Sequence, residues 1–253
     1  MKPVVYYHVY ANNDGKNIVI GQIIKINKLL NDPQILCGVI AVEKDAYVDF
    51  IKFSSSLPNV AIVNSEPHGN EWATLSRLHD DCSRRWDTTQ PILYCHTKGA
   101  YSSSLQPAII ASWREWMEYF AFFRHRDALQ CLDDGYTVYG FDAWVAPRRP
   151  LMRRLGFKPR FRFFSGNYWW STAGSVRKIS LVGIPFDRRH SAEGDFLSRI
   201  PRIRHFEALK LIGLDSIFDG AYTNYNDNFL HFHRLSEKLH LLEDMRIAIK
   251  KSR

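Results

Sequence analysis

The 253 residues hold no Cys-x-x-Cys pair, no Gly-x-Gly-x-x-Gly, no P-loop, no Gly-x-Ser-x-Gly and no Asp-x-Asp. These absences remove zinc ribbons, the dinucleotide fingerprint, the Walker-type phosphate cradle and the hydrolase nucleophile elbow from consideration. The four cysteines, Cys37, Cys82, Cys95 and Cys131, form no zinc spacing. Cys37 and Cys95 lie in apolar runs, where a thiol behaves as a small buried hydrophobe. A reducing compartment is therefore expected rather than a disulfide framework. No stretch approaches the ~18 apolar residues of a membrane span. The opening residues, Met1 to His8, lack the apolar core of a signal peptide, so a cytoplasmic protein is expected.

Against these absences stands an ordinary globular composition with an excess of rings and of positive charge. Hydrophobic residues make up 45%, charged residues 24% and aromatics 14%, with seven Trp. The net charge is +8 and the pI about 9.3, a balance that suits anionic partners. Basic residues gather in 148–162 and again in 199–204.

Val4–Tyr10, Ile35–Val42, Val60–Val63 and Ile92–Cys95 read as strands, being β-branched or aromatic and bounded by turn residues. Between them, 18–30, about 45–54 and 71–85 carry apolar residues at helical spacing, with Asn70 as a cap for the third. This alternation predicts an α/β fold with a mainly parallel central sheet flanked by helices. Further on, Pro107–Leu132 reads as one long helix, Thr137–Val145 and Phe163–Ser171 as strands, and 173–182 as a helix. A short helix follows around Glu193 to Arg199, and Leu235–Ile249 reads as a C-terminal amphipathic helix. No internal repeat or low-complexity linker divides the chain, so one domain is expected over 1–253. Its parts are a nucleotide-binding half (1–100), a second half (101–233) and the terminal helix (234–253).

Two segments stand out chemically. The fourth strand delivers His96-Thr97-Lys98-Gly99 at its carboxyl end, where open α/β sheets take ligands. Lys98 and His96 there suit a diphosphate, offsetting charge as it develops on a leaving group. Equally, His96 is compatible with a satisfied strand-end residue and Lys98 with a solvated one. The run Ser165-Gly166-Asn167-Tyr168-Trp169-Trp170 places a glycine inside an aromatic strand, a mark of close approach by a ligand or another segment. Asn167 offers both a donor and an acceptor, as a hydroxylated sugar requires. Trp169 and Trp170 fall on opposite faces of a regular strand, one in the core and one free to stack. Glu193 opens a helix beside the basic Arg188-Arg189-His190, as a general base or as a first-turn acid.

Taken in order, the segments Tyr6-Tyr7-His8-Val9-Tyr10, Glu71-Trp72-Ala73-Thr74-Leu75, Tyr94 to Gly99, Trp113-Arg114 with Met117, Ser165 to Trp170, and Ala192-Glu193 resemble a group of bacterial and viral glycosyltransferase-like proteins with a GT-A type (Rossmann-like) fold. The likeness covers about residues 4–200. It implies transfer of a sugar from a nucleotide-diphosphate donor to a hydroxyl of a glycan or lipid-linked glycan acceptor, in surface polysaccharide or glycoprotein glycan synthesis. Donor contacts are implied for Tyr7, His8, Tyr10, Glu71, Thr74, His96, Thr97, Lys98 and Gly99, with the base against the first strand's end. Sugar and acceptor contacts fall to Ser165, Gly166, Asn167, Trp169 and Trp170. Glu193 and Lys98 are the expected catalytic residues, in an inverting displacement favoured over a retaining one. Many proteins of this type hold a divalent metal through Asp-x-Asp. His96-Thr97-Lys98 stands at that place here, so the need for a metal stays open and no metal ligand is assigned. Peripheral membrane contact through the basic surface is a further expectation. The rival classes are a non-catalytic nucleotide- or glycan-binding module on the same scaffold and a basic nucleic-acid-binding protein. No RNP, helix-turn-helix or zinc-finger signature supports the latter, and no nucleic-acid partner is expected.

Overall fold

Strands β1 (Val4–Tyr10), β2 (Gln34–Ile40), β3 (Val60–Glu66) and β4 (Pro91–His96) alternate with helices α1 (Asn13–Leu29), α2 (Lys44–Ser55) and α3 (Trp72–Arg84). The computed structural model describes residues 1–97, 107–146, 160–164, 166–184, 192 and 195–208. Lys98, Gly99, Ser165, Glu193, the basic run 148–159 and the helix expected over 235–249 lie outside the described residues. The four strands pair in parallel in the order β3-β2-β1-β4, as the alternation predicts. Helix α1 begins earlier than its apolar stripe. The Asn12 side chain accepts from Gly15 N at 2.8 Å and caps it there. Before α3, the Asn70 side chain accepts from Trp72 N at 2.9 Å, the capping contact expected of it.

The second part departs from the sequence reading in several places. The expected long helix is α4 (Pro107–Glu118), a π turn over Tyr119–Phe123, and α5 (His125–Asp133). Within the π turn the Ala121 carbonyl accepts from the Trp170 indole at 2.9 Å, a tertiary contact that periodicity cannot announce. The run Thr137–Val145 divides into β5 (Val138–Gly140) and β6 (Ala143–Ala146), which belong to different sheets. Asp142 turns the chain between them at φ 58°, and the Glu207 carboxylate accepts from Asp142 N (2.8 Å) and Ala143 N. The run Phe163–Ser171 likewise divides into β7 (Arg160–Phe164) and β8 (Trp169–Thr172), at Gly166 (φ 79°) and Asn167 (φ 55°).

Short α6 (Ala173–Val176) replaces the helix expected over 173–182, a 3₁₀ turn covers Leu197–Arg199, and β9 (His205–Glu207) closes the described chain. Among the described residues the main sheet has seven strands, β3-β2-β1-β4-β8-β5-β9, with β8 antiparallel to both neighbours. β6 and β7 pair separately.

Side chains alternate between two buried layers. Odd positions of β1 (Val5, Tyr7, Val9) pack with α1, α4, the π turn and Trp170. Even positions (Val4, Tyr6) pack with α3, Trp169 and Phe196. Three expected ligand contacts are corrected by this alternation. Tyr7 is fully buried on the α1 side, its hydroxyl donating to Gln22 Oε1 at 2.5 Å, and offers no face to a base. Trp169 and Trp170 do face opposite ways, but both are buried. Trp169 stacks on Tyr94 at 5.2 Å, and Trp170 is held by Ala121. Aromatic mass here builds core before it builds a ligand surface. Among the described residues no helix is long and apolar enough to cross a membrane.

Candidate functional site

His8 and His96 lie side by side in the parallel β1–β4 register, near the carboxyl ends of both strands. His8 follows Tyr6 on the α3 face, and its Nδ1 lies 2.8 Å from the Thr74 hydroxyl in the first turn of α3. A Cβ at Gly38, the β2 neighbour of His8, would sit 2.1 Å from that hydroxyl and 2.6 Å from Asn64 Oδ1, so β2 needs glycine there. Burial pushes the His8 imidazole down to about 4; the nearby Glu71 charge opposes this and His96 adds to it. His8 is therefore a neutral ring at pH 7.

Glu71, at the start of α3, is the centre of the cluster. Its Oε2 accepts from the Tyr94 hydroxyl at 2.8 Å and from Asn167 Nδ2 at 2.5 Å. Its Oε1 faces His96 Nδ1 at 3.7 Å. His96 Nε2 lies 2.6 Å from the Gly166 carbonyl, which can only accept, so this nitrogen carries a hydrogen. Asn167 spends its other amide atom on the Trp169 indole at 2.9 Å. Asn tolerates the left-handed conformation found there. The tight approach that glycine permits at 166 is to the protein itself: an added Cβ would meet Met117 Sδ at 2.2 Å. Thr97 ends β4 by accepting from Tyr10 N at 2.8 Å, while its own N–H donates to the His8 carbonyl at 3.0 Å.

The structure thus brings together His8, Tyr10, Glu71, Thr74, His96, Thr97, Gly166 and Asn167, and sends Tyr7, Trp169 and Trp170 into supporting layers. Phe196 lies against Trp169 (6.0 Å) and edge-on to Trp72 (5.9 Å). With buried Ala192, it ties the segment flanking residues 193–194 to the start of α3. Gln22, Tyr94, Glu118 and Tyr168, which also serve this region, gave no sequence signal of their own beyond the places of Tyr94 and Tyr168 within motif segments.

Among the described residues no group of three His, Cys, Asp or Glu could hold a metal ion. His96 Nε2 is spent on the Gly166 carbonyl. A cleft of about 730 Å³ opens at the opposite, amino end of the sheet, among Pro3, Asn27, Lys28, Asp32, His125 and Arg126. None of the motif residues lines it. Its walls lack the convergent buried polar groups of the Glu71 cluster, so the carboxyl end is the better candidate.

The fold and this cluster define an α/β protein with polar groups gathered at the carboxyl ends of parallel strands. The chain belongs to the family described as Domain of unknown function (DUF8361), which matches residues 6–138. No curated protein matches the sequence. Among solved structures, 4-diphosphocytidyl-2C-methyl-D-erythritol synthase from Anaerococcus prevotii is similar at 10% identity and a TM-score of 0.41, covering 93% of this chain and 99% of its own. The mannosyltransferase PcManGT from Pyrobaculum calidifontis, in complex with GDP-Man and Mn2+, gives 11% and 0.37, covering 76% of this chain and 51% of its own. The galactosyltransferase LgtC, in complex with donor and acceptor sugar analogs, gives 9% and 0.38, covering 93% and 95%. Likenesses this distant assign no activity to the chain.

Proposed function

We propose that this protein is a glycosyltransferase that moves a sugar from a nucleotide-diphosphate donor to a hydroxyl of a glycan acceptor. The observation that carries this reading is the convergence of two separated motifs, through Tyr94 and His96 and through Asn167, on the carboxylate of a third, Glu71, at the carboxyl ends of parallel strands. Open α/β sheets take their ligands at that end. In this reading 1–100 hold the nucleotide and 101–233 the sugar and acceptor within one domain. His8, Tyr10, Glu71, Thr74, His96 and Thr97 shape the donor pocket, and Lys98 with Gly99 meets the diphosphate. Ser165, Gly166 and Asn167 contribute the sugar side.

The simplest reaction is a single displacement. The acceptor oxygen bonds to the anomeric carbon, the bond to the nucleoside diphosphate breaks, and Glu193 takes the hydroxyl proton. Lys98 offsets the charge that grows on the leaving diphosphate. Surface-glycan synthesis at the cytoplasmic side of a membrane, approached through the basic 148–162 and 199–204 segments, is the setting that fits the charge.

The test is a thermal-shift and turnover screen against nucleotide sugars, with and without manganese. A ligand at ~100 times its Kd should stabilise the fold by about 2.7 kcal/mol. Lys98→Ala should abolish most of that shift. Glu193→Gln should keep it while turnover falls by ~10²–10⁴, the usual contribution of a general base. A screen in which no nucleotide sugar raises the melting temperature ends the donor reading. Binding without any transfer or donor hydrolysis would make the chain a binding module instead.

A further inference from the structure

The layer between α1 and α4 holds an unbroken polar chain. Gln22 and Glu118 are both buried within it, with 1% and 2% of their surfaces exposed. Gln22 Nε2 donates to Glu118 Oε1 and to the Tyr168 hydroxyl, both at 2.7 Å. Lys25 Nζ, from the exposed side of α1, reaches Glu118 Oε2 at 2.5 Å, and Arg114 Nε lies 3.8 Å from Oε1. At the other end the Tyr168 hydroxyl lies 2.5 Å from the His96 carbonyl.

These contacts admit one direction of hydrogen bonding. The His96 carbonyl can only accept, so Tyr168 donates its single proton there. The Tyr168 oxygen must then accept, and only the NH₂ of Gln22 can supply it. That orients the Gln22 amide and leaves its carbonyl to take the Tyr7 hydroxyl at 2.5 Å. Both Gln22 donors and its acceptor are used. A fully satisfied buried network of this kind fixes geometry more than it adds stability, since apolar side chains of the same shape would pack as well.

What it fixes is the end of β4. The antiparallel ladder to β8 runs from Pro91↔Thr172 to Tyr94↔Trp169 and then stops, because the Gly166-Asn167 turn carries the chain away. On the other side, Tyr10 N turns from the ladder to the Thr97 hydroxyl. The His96 carbonyl lies beyond the last pair of the β8 ladder, and the Tyr168 hydroxyl meets it there. In return the His96 ring holds the Gly166 carbonyl, two residues before Tyr168.

We infer that Tyr168, oriented by Gln22 and Glu118, is a positioning residue that sets the peptide joining His96 to Thr97. Its bearing on ligand affinity rests on the donor reading above; its bearing on the strand end does not. The experiment uses the full chain and two readouts. In Tyr168→Phe, exchange of the Thr97 amide hydrogen should quicken about tenfold beyond any change at Val5 and Leu36, as loss of one buried hydrogen bond predicts. Gln22→Met should act on Thr97 in the same direction, which covers the case of a Tyr168 variant that fails to fold. Tyr139→Phe removes a buried hydroxyl that has no hydrogen-bond partner among the described residues, and should leave Thr97 unchanged. By calorimetry, UDP or GDP should bind Tyr168→Phe about three- to tenfold more weakly than wild type. Exchange that rises equally at Thr97, Val5 and Leu36 overturns the positioning role. A wild type that binds neither nucleotide overturns the donor reading alone, and the exchange comparison still decides the rest.

Discussion

His8 is a titratable ring with 4% of its surface exposed, and its lowered proton affinity couples the site to pH. The unfolded chain takes up this proton near 6.5 and the folded chain near 4. Between those values the unfolded state holds more protons, so stability falls as the pH drops through that window. The loss is complete only below the folded value. The full span corresponds to about 3 kcal/mol at 1.36 kcal/mol per unit. Wild type and His8→Asn, unfolded in urea from pH 7.5 to 4, should therefore differ in slope, with the steeper decline in wild type. Parallel curves would mean that His8 is not the titrating group. Burial is the first cause of the shift, ahead of Glu71 and His96, so substitution at Glu71 should change the decline less than loss of the ring does.

The turn between β7 and β8 shows how an element can be set by its neighbours. Gly166 has φ 79°, and its missing Cβ leaves room for Met117 Sδ from α4. Gly166→Ala should cost about 1–2 kcal/mol for the left-handed backbone and about 1–3 kcal/mol for overpacking. In Gly166→Ala/Met117→Ala the overpacking part should disappear while the backbone part remains. The two substitutions should therefore couple in a double-mutant cycle read by chemical denaturation. Strict additivity would mean that the turn does not pack on α4. The same turn explains what the sequence could convey. The strands and helices before Lys98 were readable because each carries its own period and its own bounding turn residues. Phe163–Ser171 and Thr137–Val145 read as continuous runs because aromatic and β-branched content is the same in both sheets. The breaks at Gly166-Asn167 and Asp142 are imposed from outside the run, by Met117 and Glu207. Glycine inside the aromatic run was the visible signal; its cause, a methionine some fifty positions earlier, was not. Glu71 and Thr74 entered the site only through resemblance, since a lone acid at a helix start is ordinary helix chemistry. Gln22 and Glu118 lie on helical stripes and carry no local mark at all.

At the scale of the whole molecule, the four cysteines report on how the two layers open. Cys37 and Cys95 flank Tyr7 in register on neighbouring strands and are fully buried, and burial holds both thiols well above their ordinary range. Cys82, on α3, is pushed up to about 12 by burial and then by the Asp81 charge. Cys131, on α5, is pushed up to about 11 by burial first and by Asp134 and Asp127 after it, and has 8% of its surface exposed. Thiolate is the reactive form, so none of these should label quickly in the native protein at pH 7. Labelling then requires opening, and openings range from local fraying to global unfolding. Cys131 lies nearest the surface, on a nine-residue helix at the end of its layer, and should be modified first through a local opening. Cys82 should follow with separation of α3 from the sheet. Cys37 and Cys95 sit among paired central strands and should react together, at the rate set by global unfolding. Mass spectrometry of the native protein in a slowly reacting alkylating reagent can follow each site against urea concentration. The expected result is a shallow urea dependence for Cys131 and a common steep one for Cys37 and Cys95. Labelling of Cys95 ahead of Cys37 would show instead that β4 separates from β1 on its own, and would make the strand end that carries His96 the weakest joint of the sheet.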